Sequence, residues 1–104
     1  QYFEMGRTEL LRQVDISYKK MEEDGLILPV YSMNTRYIKP AKYDDKLVLK
    51  TFLKEKPSAR IIFHYEIYND KEELICQADT TLVFVDSSKK RPIKIPQELL
   101  KKLS

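Results

Sequence analysis

Tryptophan is absent, histidine and cysteine occur once each and glycine twice in 104 residues, and each scarcity removes a class of function. Cys76 has no second cysteine for an internal disulfide, and one thiol with one imidazole, His64, is too little for a Cys/His metal centre. A lone thiol fits a reducing, cytoplasmic setting. No apolar run approaches the roughly 20 residues that a membrane-spanning helix needs, and no signal-peptide pattern is visible. The charge excess is small, since 19 Lys and Arg stand against 16 Asp and Glu for a net +3. That disfavours nonspecific nucleic-acid binding and leaves open a local basic patch for a phosphorylated small molecule.

What is present is the balance of a folded, strongly charged protein, with 42% hydrophobic and 34% charged residues. The length allows one core and one domain. The opening QYFEMGRTELLR reads as the body of a helix whose start is missing, because no Ser, Thr, Asp or Asn stands where an N-cap belongs. Phe3, Gly6, Leu10 and Val14 recur at helical spacing, with Arg7 and Leu11 filling the same flank, which predicts an amphipathic helix to residue 14. Gly6 costs roughly 1 kcal/mol against alanine in a helix. Either the backbone there closely approaches a sheet or a ligand, or the glycine is merely tolerated. Ser17 reads as the cap of a short second helix over residues 18–24, which Gly25 ends in the left-handed region.

The period then changes from helical to two. Residues 30–39, 46–56, 60–69 and 73–85 are rich in Val, Ile, Leu, Tyr, Phe and Thr and alternate as strands. Ile61, Phe63, Tyr65 and Ile67 oppose Arg60, Ile62, His64, Glu66 and Tyr68. Turn chemistry in KPSA and YNDKEE joins the last three strands into an antiparallel meander. Pro40 must end or bulge the first, since it cannot donate to a ladder, and Asp44 and Asp45 shape the turn that follows. Pro96 opens a terminal helix over 97–103. One apolar sheet face needs a cover that only the long helix supplies, so the fold class is α+β, a curved antiparallel sheet wrapped on a helix.

Three segments, YFEMGRTELLR, RYIKPAKYDD (residues 36–45) and ADTTLVFVDSSKKRPIKIP (residues 78–96), resemble the hot-dog acyl-CoA thioesterases of the 4-hydroxybenzoyl-CoA thioesterase-like group. They stand in the family's order and cover nearly the whole chain. The resemblance implies a hot-dog domain over residues 1–104 that lacks the family's first strand and catalytic loop, a stretch of about thirty residues. The catalytic aspartate is expected in that stretch, upstream of Gln1. The resemblance also implies a cytoplasmic acyl-CoA thioesterase for a small or medium acyl or aroyl group, needing no metal or organic cofactor. Its active sites would form between protomers of a homodimer or a dimer of dimers.

By the same resemblance Glu4 lies near the acyl end of the pocket, lining it or pairing with Arg7 or Thr8. Lys56, Ser58 and Arg60 in one loop, and Lys89, Lys90 and Arg91 in another, would grip the CoA phosphates and pantetheine. Each of these residues also has a plainer reading as solvated charge. His64, on a strand face with Arg60 and Glu66, reads as structural, and Cys76 as buried packing. Tyr31, Tyr37, Tyr43, Tyr65 and Tyr68 offer aromatic surface for an interface or a flat substrate. The alternatives to catalysis are a noncatalytic module binding acyl-CoA or acyl carrier protein, and a dimeric scaffold without ligand.

Overall fold

Alternation of apolar and polar residues decides the sheet, and helical spacing decides what covers it. The computed structural model describes residues 2–104. Helices α1 (Tyr2–Gln13) and α2 (Tyr18–Glu23) come first, followed by a two-residue strand β1 (Leu26–Ile27). The main strands are β2 (Val30–Tyr37), β3 (Val48–Leu53), β4 (Arg60–Tyr68) and β5 (Leu74–Val83). Two more short strands, β6 (Val85–Asp86) and β7 (Arg91–Pro92), lead to α3 (Gln97–Leu103).

The four main strands form one antiparallel sheet in the order β2-β5-β4-β3. The meander of β3, β4 and β5 is as expected, and the first long strand joins the sheet beside the last. Ile61, Phe63, Tyr65 and Ile67 of β4 all face inward, with Phe63 and Tyr65 fully buried. Ala78, Thr80 and Leu82 of β5 share that face, and Leu11 of α1 closes over it.

The strands are shorter than the sequence predicts. β2 stops at Tyr37 because the amides of Ile38 and Lys39 both turn onto the Ile75 carbonyl (2.9 and 3.2 Å) just ahead of Pro40. β5 stops at Val83, where the Phe84 amide leaves the ladder for the Ala59 carbonyl. The residues beyond it enter a second sheet, β1-β6-β7, that the sequence did not announce. Ser17 caps α2 by accepting from the Lys20 amide, and Gly25 takes a φ of +84°. Asp45 Oδ2 accepts from the Lys42 amide at 2.8 Å, which makes its role in the turn structural.

Gly6 is where α1 meets the sheet. A Cβ there would collide with the Thr51 hydroxyl and stand 3.0 Å from Leu49 Cδ2 on β3. The glycine therefore serves close approach to a sheet. Replacing it with alanine gains helix propensity and loses more to overpacking, for a net destabilisation of about 1–2 kcal/mol. Denaturant midpoints are expected to fall for Gly6→Ala and to recover in large part in the double variant Gly6→Ala, Thr51→Ala, which removes the hydroxyl in the way.

Candidate active site

The leading end of α1 borders an apolar cavity of about 510 Å³, walled by Phe3, Tyr37, Leu47, Ile67, Ile75 and Cys76, with Lys39 at its edge. The Phe3 ring packs on Tyr65 with centroids 4.6 Å apart, so this wall is fixed from below. Cys76 is buried, and burial pushes its thiol up, away from the thiolate a nucleophile needs. It belongs to the packing, as expected from its neighbours.

Glu4 is exposed one turn into α1. Its carboxylate pairs with neither Arg7 nor Thr8, against one of the sequence expectations. The Thr8 hydroxyl donates to the Glu4 backbone carbonyl at 2.9 Å. Arg7 turns beneath the helix instead, where Nε donates to the Tyr18 hydroxyl at 3.4 Å and Nη1 to the Tyr65 hydroxyl at 3.2 Å. Burial works against the guanidinium charge, but the phenol hydrogen bonds outweigh it and the pKa of Arg7 stays raised. Burial likewise pushes the Tyr65 phenol up. Tyr65 thus belongs to the interior, not to the aromatic surface that Tyr31 and Tyr37, both largely exposed, do provide.

The two cationic loops both spring from the other end of the sheet. The Ile95 amide donates to the Ser58 carbonyl at 2.8 Å and the Phe84 amide to Ala59, tying residues 56–60 to the segment that follows β5. Arg60 lies 3.8 Å from Glu55, an exposed and weak pair. Lys89 and Lys90 sit in the turn between β6 and β7 and Arg91 opens β7, and Asp86 Oδ1 accepts from the amides of Ser88 (3.0 Å) and Lys89 (2.9 Å). The Lys89 amide is the chief reason the Asp86 carboxyl is held below its usual range. None of Lys56, Lys89, Lys90 and Arg91 is tied into an ion pair among the described residues, so all four ends are free to meet an anion. The structure does not bring these loops to Glu4. The first turn of α1 lies over the Tyr65–Ile67 part of β4, five to seven residues beyond Arg60, which puts about 16–23 Å between them at 3.3 Å per residue.

The sequence profile of the thioesterase-like superfamily matches residues 1–103. The chain belongs to that superfamily. YneP of Bacillus subtilis is 31% identical over 93 residues, which are 89% of this chain and 67% of that protein. The acyl-CoA thioester hydrolase YbgC of Escherichia coli is 27% identical over 99 residues, 95% of this chain and 74% of its own. The solved structure of a DHNA-CoA thioesterase from Staphylococcus aureus superposes with a TM-score of 0.86 at 30% identity, covering 98% of this chain and 72% of that one. The hot-dog architecture expected from the three sequence segments is therefore the architecture found.

On the thioesterase domain's outer sheet face, away from α1, His64 sits in a polar network. Its Nδ1 lies 2.8 Å from Asp79 Oδ1 and its Nε2 3.2 Å from Glu66 Oε2. Both contacts are hydrogen bonds together only when each ring nitrogen carries a proton, because carboxylates accept. Lys54 donates to the second oxygen of Asp79 at 3.1 Å, and the Tyr68 hydroxyl to Glu66 at 2.7 Å. The ring has a carboxylate beside each nitrogen and lies on the face opposite the cavity, which supports its structural reading. Register alone pairs His64 with Asp79 across β4 and β5, so the partner was not legible from either strand by itself.

Burial pushes the Asp79 carboxyl up, but the hydrogen bonds from His64 and Lys54 outweigh it and the net shift is down. Glu66 is held low, chiefly by Tyr68 and then by His64. Carboxyls that titrate lower when folded add stability above their unfolded values, near 4, and lose it as pH falls through the folded ones. Asp79→Asn is expected to cost less than about 1 kcal/mol at neutral pH, because the group is partly solvated. It should also make the loss of stability between about pH 5 and 2 shallower, read from thermal midpoints across that range.

Proposed function

We propose that this chain is the greater part of an acyl-CoA thioesterase that hydrolyses a small or medium acyl or aroyl thioester to the free acid and CoA. Membership of the thioesterase-like superfamily over residues 1–103 carries the reading. The apolar cavity at the leading end of α1 supports it, being of a size for a ring or a short chain. Thioester hydrolysis needs a polarised carbonyl and an activated water or carboxylate nucleophile. Free amides and the positive dipole end at a helix start polarise the carbonyl oxygen. A carboxylate supplied from upstream of Gln1 acts as base or nucleophile. Glu4 borders the acyl group.

Lys56, Ser58, Arg60, Lys89, Lys90 and Arg91 bind CoA, the cations taking its phosphates. Their distance from Glu4 supports a site shared between two copies. β2 is an edge strand with all eight residues exposed, among them Val30, Tyr31, Met33 and Tyr37, and such an edge is a template for another strand. Antiparallel pairing of two β2 edges about a two-fold axis reverses one sheet relative to the other. The cationic end of each copy then lies toward the leading end of its partner's α1. The assembly is a homodimer, or a dimer of dimers, in a reducing cytoplasm where Cys76 stays a thiol. An acyl carrier protein is an alternative carrier of the acyl group.

Free-thiol release from short acyl-, medium acyl- and aroyl-CoA thioesters tests the activity. Release by the protein extended upstream, with binding but no turnover by residues 1–104 alone, is the expected result. Silence from both forms across the panel would refute the enzyme. Alanine at Lys89, Lys90 and Arg91 together should raise KM about tenfold with kcat little changed, since phosphate contacts bind ground and transition states alike. Met33→Lys on β2 should shift sedimentation toward the monomer.

A further inference from the structure

The apolar cavity at the leading end of α1 owes its floor to a bulge in β5. Pairing with β4 runs without a break from Val83 back to Cys76, which faces Ile67, but the next pair is Tyr68 with Leu74. Ile75 is the extra residue, and its side chain joins Cys76 on the inner face, where strict alternation would send it outward. Both are buried, at 4% and 6% exposure, and they pack with Ile67, Phe3, Leu47 and Leu49 in a cluster of their own. The Ile75 carbonyl also receives the amides of Ile38 and Lys39 at 2.9 and 3.2 Å, which holds residues 38–41 against the cavity. One irregular residue thus shapes both the floor and a wall.

The chemistry of this lining is one-sided. Among the described residues that form it, only Tyr37, Lys39 and Cys76 have a polar side-chain atom. Tyr37 is 83% exposed, so its hydroxyl is in water. The Lys39 ammonium is held by Glu73 Oε2 at 2.7 Å. The Cys76 thiol, a weak donor, turns to the Gln77 carbonyl at 3.8 Å. A ligand group that reaches the floor meets aliphatic carbon and sulfur and no free polar side chain. A hydroxyl brought there gives up its water and finds no side-chain partner, whereas a bare ring or methyl end has no hydrogen bond to lose.

We propose that the bulge at Ile75 sets the substrate class: with Cys76 it makes a floor that accepts acyl groups ending in bare hydrocarbon, an unsubstituted ring or a plain alkyl chain, and rejects those with a hydroxyl at the far end. This inference rests on the thioesterase reading, which puts the acyl group in this cavity. Selection here works by withholding a partner, so its strength is moderate. An apolar pocket disfavours an added hydroxyl by about ten- to a hundredfold, while a pocket built to bond a hydroxyl discriminates far more strongly in the other direction. Bulges recur beside active sites because they re-aim a side chain, and the side chain re-aimed in β5 is one that closes the floor.

The test compares kcat/KM for phenylacetyl-CoA and 4-hydroxyphenylacetyl-CoA with the active full-length protein. The methylene insulates the thioester from the ring substituent, so the two differ at the far end alone. Phenylacetyl is expected to be favoured about tenfold or more. Ile75→Thr places a hydroxyl on the floor and should bring the ratio toward one, while Ile75→Val, of the same shape without it, keeps the ratio. Cys76→Ser repeats the change at the neighbouring position should Ile75→Thr fail to fold. A ratio near or below one in the unaltered protein, or a preference that no added floor hydroxyl weakens, overturns the proposal. A second measurement needs no turnover: by calorimetry the uncleavable thioether S-benzyl-CoA should bind more tightly than S-(4-hydroxybenzyl)-CoA by a similar factor. If no thioester is cleaved but this difference is present and shrinks in Ile75→Thr, the hydrolase reading fails and the floor stands. If thioesters are cleaved and the thioethers bind alike, the floor fails alone. With neither cleavage nor a difference in binding, both fail.

Discussion

The closeness of α1 to β3 at Gly6 sets the rest of the structure. With a hydrogen where other residues carry a side chain, the helix settles against Leu49 and Thr51. It therefore lies over the β3 and β4 side of the sheet and away from its middle. That one displacement fixes the helix rotation, sending Phe3 onto the Tyr65 ring, Arg7 to its hydroxyl and Leu11 into the core. It also leaves the inner side of β2 without a cover. The backbone freedom that glycine costs a helix, about 1 kcal/mol, is offset by contacts that no larger residue at position 6 would permit.

An uncovered edge strand and a molecule with unlike ends are two aspects of the same arrangement. The domain is elongated, 45 Å along its major axis, with an apolar cavity at one end of the sheet and free lysines and arginines at the other. A ligand that is apolar at one end and polyanionic at the other cannot meet both regions within one chain without spanning most of β4. Natural edges are commonly protected by charge, proline or bulges. β2 carries Arg36 and is followed by Lys39 and Pro40, yet its central residues are Tyr31, Ser32, Met33, Asn34 and Thr35, with no charge among them. The protection is thus confined to one end of the strand, leaving the remainder suited to pairing.

Local chemistry made much of this legible in the sequence. The alternation in β4 predicted every inward residue, Ser17 and Gly25 marked the limits of α2, and the terminal helix fell on 97–103 as Pro96 indicated. The second sheet was hidden because strands of two residues have no period to detect. The bulge at Ile75, which shifts the register between Ile67 and Tyr68, depends on pairing that no single strand encodes. The part Asp86 plays in shaping the hairpin that presents Lys89 to Arg91 depends on which loop amides turn toward its carboxylate. Arg7 was placed on the correct flank of α1, but helical spacing could not tell that a charged residue there would be buried, nor that Tyr18 and Tyr65 would meet it from 11 and 58 residues away.

The two polar groupings of the sheet obey opposite rules, and the difference is physical. On the outer face His64, Lys54, Asp79 and Glu66 hold charges of both signs within hydrogen-bond reach, at a surface where water screens whatever remains. Such a cluster is close to self-compensating and contributes little field at a distance. On the inner face one guanidinium stands among neutral oxygens, in surroundings where the field of a charge is attenuated far less than in water. Tyr18 and Tyr65 fix its plane and raise its pKa, so it stays ionised and its potential extends over the floor formed by Ala78 and Thr80. A sheet stabilised by packing alone would have no use for that potential, and the same helix turn could carry methionine or leucine at lower electrostatic cost. The residue at position 7 therefore gives the inner surface a sign that the outer face, with its charges paired, does not have.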